Sequence, residues 1–394
     1  MGEEVVVSKR GVQRIRGGQV WVFRSDLEGE PDAVPGAIVR IVDRGRNPMG
    51  WGFYGSSQLA LRVLTRTDDR PDRSFFRERL AAAIAKRTRL FPERDAVRLV
   101  HGEADGLPGL LVDKFGDAIV IQSLARAVDE REKMFIELLD ELVTPRAIVI
   151  RDDGMTREYE NMEDRKSLAK GDSAACSYHE GDLVFSADLL SDQKTGAFLD
   201  QYENHLWAAS YARGKALDTF SYHGGFGLQL ARYADSVVCV DQSELATSRI
   251  IANAKANGLA NVTAVCANAF DYLREAEGTI MGAPSGRKER FDTIVIDPPA
   301  FAKRASALDG ARRGYKELNL RGIHLLAPGG TLITCSCSAK VTREIFEEIL
   351  IEAARDAKRR MTILERRGAG RDHPGLLGMP ETEYLKCFVL QASD

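Results

Sequence analysis

The sequence predicts a doubly wound α/β sheet preceded by a small β-rich barrel and a central α+β segment, and three observations carry that fold class. From about residue 186 onward, short apolar strands alternate with helices, as in a parallel sheet covered on both faces. The first of these strands runs into a glycine-rich turn and the second ends in Asp241, and the carboxyl ends of such strands are where their ligands sit. The first 70 residues show a different rhythm, short alternating strands broken by Gly, Pro and Asn, which suits a small barrel.

Taken in order, residues 5–8 (VVVS), 20–23 (VWVF), 37–43 (AIVRIVD), 49–55 (MGWGFYG) and 59–65 (LALRVLT) are the barrel strands. Residues 70–92 space their apolar side chains as a helix does and are Ala-rich in the middle, so a helix leads into the next segment. There, residues 98–124, a helix near 129–143 and the strand-like 147–153 (AIVIRDD) make an α+β segment. Beyond it, strands at 215–220, 236–241, 262–267, 291–297 and 331–336 alternate with helices at 224–234 and 246–258. The expected domains are 1–72, 73–185 and 186–394.

Composition removes several function classes. With 44% hydrophobic and 29% charged residues in 394, the chain has ordinary globular composition rather than that of a disordered or fibrous protein. Its apolar runs fall well short of the roughly 20 residues that cross a bilayer, and the N-terminus lacks an apolar secretion segment; a cytoplasmic protein with no membrane span is expected. Six scattered cysteines without a CxxC pair predict a reduced protein with no disulfide frame and no metal site. The net charge of −3 averages segments of +2 (1–70), −5 (71–185) and 0 (186–394). Two local clusters are basic enough to meet phosphates: Lys9, Arg10, Arg14 and Arg16, and the run Lys303, Arg304, Arg312 and Arg313.

Three motifs carry chemistry. The first, Asp218-Thr-Phe-Ser-Tyr-His-Gly-Gly-Phe-Gly227, ends a strand and opens a helix; its glycines allow close backbone approach to a ligand. It is not the G-x-G-x-x-G of a dinucleotide site, and Asp241 can accept both hydroxyls of a ribose. The second is Asp297-Pro298-Pro299-Ala300-Phe301, where two prolines fix an extended turn. That turn offers acceptors to a base, and Phe301 can stack on a flipped ring. The third is Thr334-Cys335-Ser336-Cys337-Ser338. Cysteines two apart on a strand share a face, so both can look into one site; Cys337 is the candidate nucleophile, and the deeper Cys335 suits packing as a small hydrophobe.

Together, FSYHGGFG, VVCVD, IDPPAF and TCSCS resemble the motifs of class I S-adenosylmethionine-dependent methyltransferases, whose Rossmann-like sheet matches the predicted fold. The stretches RLVHGEADGLPGLLVDKFGD and DQKTGAFLDQYENH narrow the resemblance to bacterial large-subunit ribosomal RNA cytosine-C5 methyltransferases with an N-terminal PUA domain, over essentially the whole chain. The resemblance implies S-adenosylmethionine as cofactor and ribosomal RNA as partner, and leaves a homodimer open. It implies that the segment holding Thr195, Gly196 and Asp200 closes over the cofactor. Phe220, Ser221, Tyr222 and Gly224 would line the methionine and ribose region, Asp241 would hold the ribose, and Asn268-Ala269 would lie beside the adenine, with Asp297 near cofactor and base. Asn268 stands where the family usually has Asp, and His223 where it commonly has Thr.

The implied reaction adds the Cys337 thiolate to C6 of cytosine, since C5 alone is too weak a nucleophile, while Asp297 hydrogen-bonds the N3–N4 edge. Many RNA cytosine-C5 methyltransferases carry a further cysteine where this chain has Ala300. Pro298, Pro299, Phe301, Lys303, Arg304, Arg312 and Arg313 would contact RNA. Methylation of an exocyclic amine is the alternative reaction, which has no use for Cys337; an RNA-binding assembly factor with a vestigial site is the reading from another class, and the intact glycine loop, Asp297 and Cys337 together speak against it.

Overall fold

The computed structural model describes residues 4–154, 157–278, 289–302 and 305–393. The chain forms two compact units, the first made of Met1–His179, Ala187–Ala197 and Asp372–Thr382, the second of Glu180–Ser186, Phe198–Arg371 and Glu383–Asp394.

The first unit begins with β1 (Glu4–Val6), α1 (Lys9–Arg16), β2 (Trp21–Phe23), β3 (Ile38–Val42), β4 (Pro48–Tyr54) and β5 (Leu59–Thr65). Their sheet runs β1-β3-β4-β5-β2, and a bridge between Val7 and Leu27 joins its two edges, as a barrel requires. Helix α1 is not expected from periodicity, because Gly11 and four basic residues hide its period; its signal is Ser8, whose hydroxyl accepts the Gly11 N–H as an N-cap. Arg10 and Arg14 both pair with the buried Asp26. Part of their charge is therefore spent on a buried carboxylate: Arg14 is half-buried, while Arg10 stays exposed beside Lys9 and Arg16.

There follow α2 (Arg73–Leu90), β6 (Ala96–His101), β7 (Leu110–Phe115), β8 (Ala118–Ser123), α3 (Arg126–Asp129), α4 (Glu132–Val143), β9 (Ala147–Asp152) and β10 (Arg165–Lys170). The sheet β10-β9-β8-β7-β6 is antiparallel except for β8–β9, whose parallel crossover uses α3 and α4. Phe76 and Leu80 of α2 and Phe135, Leu138 and Leu139 of α4 cover it in one apolar core. A ribbon of β11 (Ala175–Glu180) and β12 (Leu183–Asp188) comes next, where the chain passes between the units.

The second unit contains α5 (Tyr202–Ala208), β13 (Lys215–Thr219), α6 (Gly225–Ala231), β14 (Ser236–Asp241), α7 (Glu244–Ala256), β15 (Val262–Cys266), α8 (Ala269–Ala276) and β16 (Phe291–Ile296). It continues with α9 (Leu308–Leu325), β17 (Leu326–Ser336), α10 (Arg343–Asp356), β18 (Arg360–Arg367) and β19 (Lys386–Ser393). The seven-stranded sheet runs β15-β14-β13-β16-β17-β19-β18. Strands β13 to β17 are mutually parallel, and β19 lies antiparallel between β17 and β18. No described helix is long and apolar enough to cross a membrane.

Candidate active site

The sheet of the second unit has its topological switch point between β13 and β16, because the chain leaves β13 for β14 and β15 on one side and returns to β16 on the other. The loop after β13 and the turn after β16 are therefore neighbours, although 79 positions separate Asp218 from Asp297.

The loop after β13 is strained and tightly packed. Phe220 and Tyr222 hold left-handed backbone angles, φ 62° and 49°, which L-residues adopt only when their surroundings impose it. His223 stacks on Tyr222 with centroids 3.7 Å apart, and Tyr222 meets Phe198 edge-on. Burial drives the His223 pKa down to about 3, with Arg249 adding to the effect, so its ring is a neutral packing surface. Gly224 has φ 91°, which favours glycine. Gly225 and Gly227 answer to the protein: a Cβ at 225 would lie 2.3 Å from the His205 ring and one at 227 would lie 2.3 Å from Cys239 Sγ. Those two glycines make room for side chains rather than for a ligand. His205 is itself held by Glu180, 2.8 Å from Nδ1.

Asp218, inside β13, is buried. Its Oδ2 accepts the Gly227 N–H at 2.8 Å, while Oδ1 has no hydrogen-bond partner among the described residues. Burial pushes this carboxyl up to about 7. At the end of β14, Asp241 accepts the N–H groups of Tyr222 and Ser243, each at 2.9 Å. Ser221 donates to the main-chain oxygen of Asp218 at 2.8 Å. Asn268 caps α8, its side chain accepting from Phe270 and Asp271, with Ala269 buried behind it. An orphaned buried carboxyl oxygen, a half-buried strand-end carboxylate and a strained loop fit a ligand with its own donors, such as the amine and hydroxyls of an amino-acid nucleoside.

Across the switch point, Cys337 lies one residue beyond β17, half-buried, with Sγ 3.8 Å from the carbonyl oxygen of Pro298. Cys335 is fully buried and opposite Cys387 of β19, and burial holds its thiol well above the ordinary range. The two cysteines do not look into one site, since the ladder ends at Ser336 and only Cys337 reaches the strand end. Ser338 ties this strand end to its neighbours: its hydroxyl is 3.0 Å from Tyr315 Oη and accepts the Ala302 N–H at 3.2 Å, and its carbonyl accepts from Lys386 Nζ at 2.7 Å. Phe301 packs on Tyr315 with centroids 4.7 Å apart. Together with Phe270, Asp309, Arg313 and Gly314 it lines an open cleft of about 570 Å³.

Of the remaining expected residues, Arg312 pairs with Glu348 and Glu352 of α10, so its charge ties two helices together instead of facing a phosphate. Arg313, about 100° further round the helix, is exposed in the cleft. Lys303 and Arg304 lie outside the described residues. Pro298 is buried and Pro299 exposed. Thr195 and Gly196 belong to the first unit, where Thr195 donates to Asp113 at 2.7 Å; Asp200 belongs to the second and accepts from Tyr384 Oη at 2.7 Å. Sequence reasoning missed His205, Tyr315, Tyr384 and Lys386. Only Lys386 left a signal, a lone cation opening the apolar run KCFVLQA.

Five parallel strands in this order, with an antiparallel strand slotted beside the last, form the sheet of a class I S-adenosylmethionine-dependent methyltransferase. Residues 159–378 match the S-adenosylmethionine-dependent methyltransferase family and residues 5–66 a PUA-like domain. The fold is shared with a SAM-dependent methyltransferase structure from Streptococcus mutans (TM-score 0.83, 18% identity, 99% of this chain and 100% of that one). A second solved methyltransferase, complexed with S-adenosylhomocysteine, has TM-score 0.84 at 19% identity, with 99% and 100% covered. Among curated proteins, ribosomal RNA large subunit methyltransferase I of Tolumonas auensis is 37% identical over 387 residues, 94% of this chain and 95% of that one. Its counterpart in Photobacterium profundum is 34% identical over 404 residues, 99% of each. The chain belongs to this ribosomal RNA large subunit methyltransferase I family, and S-adenosylmethionine is its cofactor.

Proposed function

We propose that this enzyme methylates C5 of a cytidine in large-subunit ribosomal RNA, in the cytoplasm, through a covalent bond from Cys337 to C6. The choice of RNA rests on the names of its relatives. One observation carries the chemistry: the Cys337 sulfur lies 3.8 Å from the Pro298 carbonyl, beside Asp297. A base recognised by the Asp297-Pro298-Pro299 turn would therefore have a thiol at hand, which an amine methylator does not need.

S-adenosylmethionine supplies the methyl group. The Cys337 thiolate adds to C6 and makes C5 an enamine carbon, nucleophilic enough to take that methyl. Asp297 hydrogen-bonds the N3–N4 edge and stabilises the N3-protonated ring, so the electrons that the thiolate pushes toward C5 leave no net negative charge on the base. A base then takes the C5 proton, the C5–C6 double bond re-forms and the thiolate leaves. Asp200, Asp218, Phe220, Ser221, Tyr222, Gly224, Asp241, Asn268, Ala269 and Asp297 would hold the cofactor. Pro299, Phe301 and Arg313 meet the RNA around the target base. In this division of labour residues 1–72 bind RNA, 73–185 form the central domain and 186–394 transfer the methyl group.

RNA carrying 5-fluorocytidine tests the reading. Fluorine blocks proton loss at C5, so a denaturation-resistant protein–RNA adduct should accumulate and map to Cys337. An adduct at Cys335 would exchange the two cysteines, and full activity of a Cys335, Cys337 double alanine variant would establish amine methylation instead.

A further inference from the structure

Lys386 opens β19 and is only 3% exposed. Its Nζ donates to the carbonyl oxygens of Ser338 at 2.7 Å and Tyr384 at 2.8 Å, and among the described residues no carboxylate lies within ion-pair distance of it. A buried ammonium held only by neutral dipoles is costly, because carbonyls replace part of its hydration and none of its counter-charge. The register pairs Lys386 with Ser336, and its hydrogen bond goes to Ser338. Cys337 is the residue between those two.

We propose that Lys386 is the positioning residue that keeps Cys337 as a thiolate, its ammonium serving as the sulfur's buried counter-ion. This rests on Cys337 being the nucleophile of the proposed reaction. The proton leaves Sγ and is held on Nζ; the thiolate that results is the one that adds to C6, and the ion pair re-forms when the thiolate is expelled. No other reactant is needed.

The surrounding charges suit the pair. Burial lowers the Lys386 pKa to about 8, with Arg343 of α10 acting in the same direction and Cys337 pulling it back up. Tyr315 faces the group through Ser338, and burial pushes its hydroxyl up to about 12, so it stays neutral. Tyr384 is bound through its hydroxyl to Asp200, and Asp297 stands across the turn after β16. An amine near its midpoint and a thiol whose charge acts on it share one proton readily.

Alkylation by iodoacetamide tests this on the full chain without RNA, because only the thiolate reacts. The rate at the Cys337 peptide is followed by mass spectrometry across pH, with the exposed Cys266 as internal reference. In the unmodified enzyme the Cys337 inflection should fall at least about one unit below the ordinary thiol value of about 8.5. Lys386→Met should raise it and slow alkylation at pH 7 about tenfold, one pKa unit being a tenfold change in thiolate, with Cys266 unaffected; Lys386→Arg should restore it. An ordinary inflection in the unmodified enzyme would overturn the proposal even if Lys386→Met failed to fold. An inflection unmoved by Lys386→Met, or not restored by Lys386→Arg, would overturn it equally. Failure of the cytosine reading would instead show as a missing 5-fluorocytidine adduct beside normal alkylation.

Discussion

Two aspartates on parallel strands, one in each unit, meet burial in opposite ways. Asp152 closes β9 and Asp218 lies in β13, both fully buried, and desolvation raises the pKa of each. Around Asp152 the first unit gathers the Ser123 N–H at 2.7 Å, Arg157 at 3.2 Å and Arg165 at 3.1 Å. Asp218 has one N–H and an oxygen with no partner among the described residues. The same contrast holds for cations: the first unit's fully buried Arg87, Arg151 and Arg157 all pair with carboxylates, whereas Lys386 of the second unit does not. In the first unit buried charges come with their partners; in the second, Asp218 and Lys386 are buried without a counter-charge among the described residues, as is common at functional sites.

The largest effect that would sharpen this contrast is at Cys337. Cys337→Ala should lower methylation on the order of a thousandfold or more while calorimetric binding of S-adenosylmethionine is retained, and Cys335→Ala should keep activity. Next is Arg157→Met, which strips Asp152 of a buried partner and should cost about 3–5 kcal/mol in urea denaturation. An indifferent Arg157→Met would break the comparison.

Asp218 offers the mirror test through pH. Its folded pKa of about 7 stands above the ordinary 3.8, so the folded state binds this proton more tightly. The stability it contributes is full below about pH 4 and lost as pH rises to about 7. Thermal melts of Asp218→Asn should lack that component of the pH dependence and should show weaker cofactor binding.

Smaller effects are expected at the glycine loop and the cleft. Gly225→Ala drives a Cβ into His205 and should cost about 1–3 kcal/mol; a second change, His205→Ala, should recover part of it, a coupling that a double-mutant cycle reads directly. Last, Arg313→Glu should weaken RNA binding and flatten the slope of log affinity against log salt by about one. Arg312→Glu should leave the slope alone and cost under about 1 kcal/mol from its half-exposed pairs.

Much of the site is legible in the sequence because its parts are local. The motifs after β13, β14, β16 and β17 lie where strand periodicity stops, and each announces its own turn chemistry. Arg14 and Arg312 depart from expectation for one reason: a basic run in sequence does not say which guanidinium faces water and which is half-buried against a carboxylate on another element.

By itself the sequence determined the alternation of strands and helices, the strand-end positions of Asp241, Asp297 and Cys337, and the need for glycine at 224, since backbone conformation and periodicity depend on near neighbours. Tertiary structure alone decided that β17 delivers Cys337 to Pro298, that Cys335 sinks into the core against Cys387, that His205 occupies the space of a side chain at 225, and that Lys386 reaches Ser338. Each is a contact between strands or segments far apart in the chain. Such contacts are set by the order and register in which the sheet is assembled, which a single strand's own pattern does not encode.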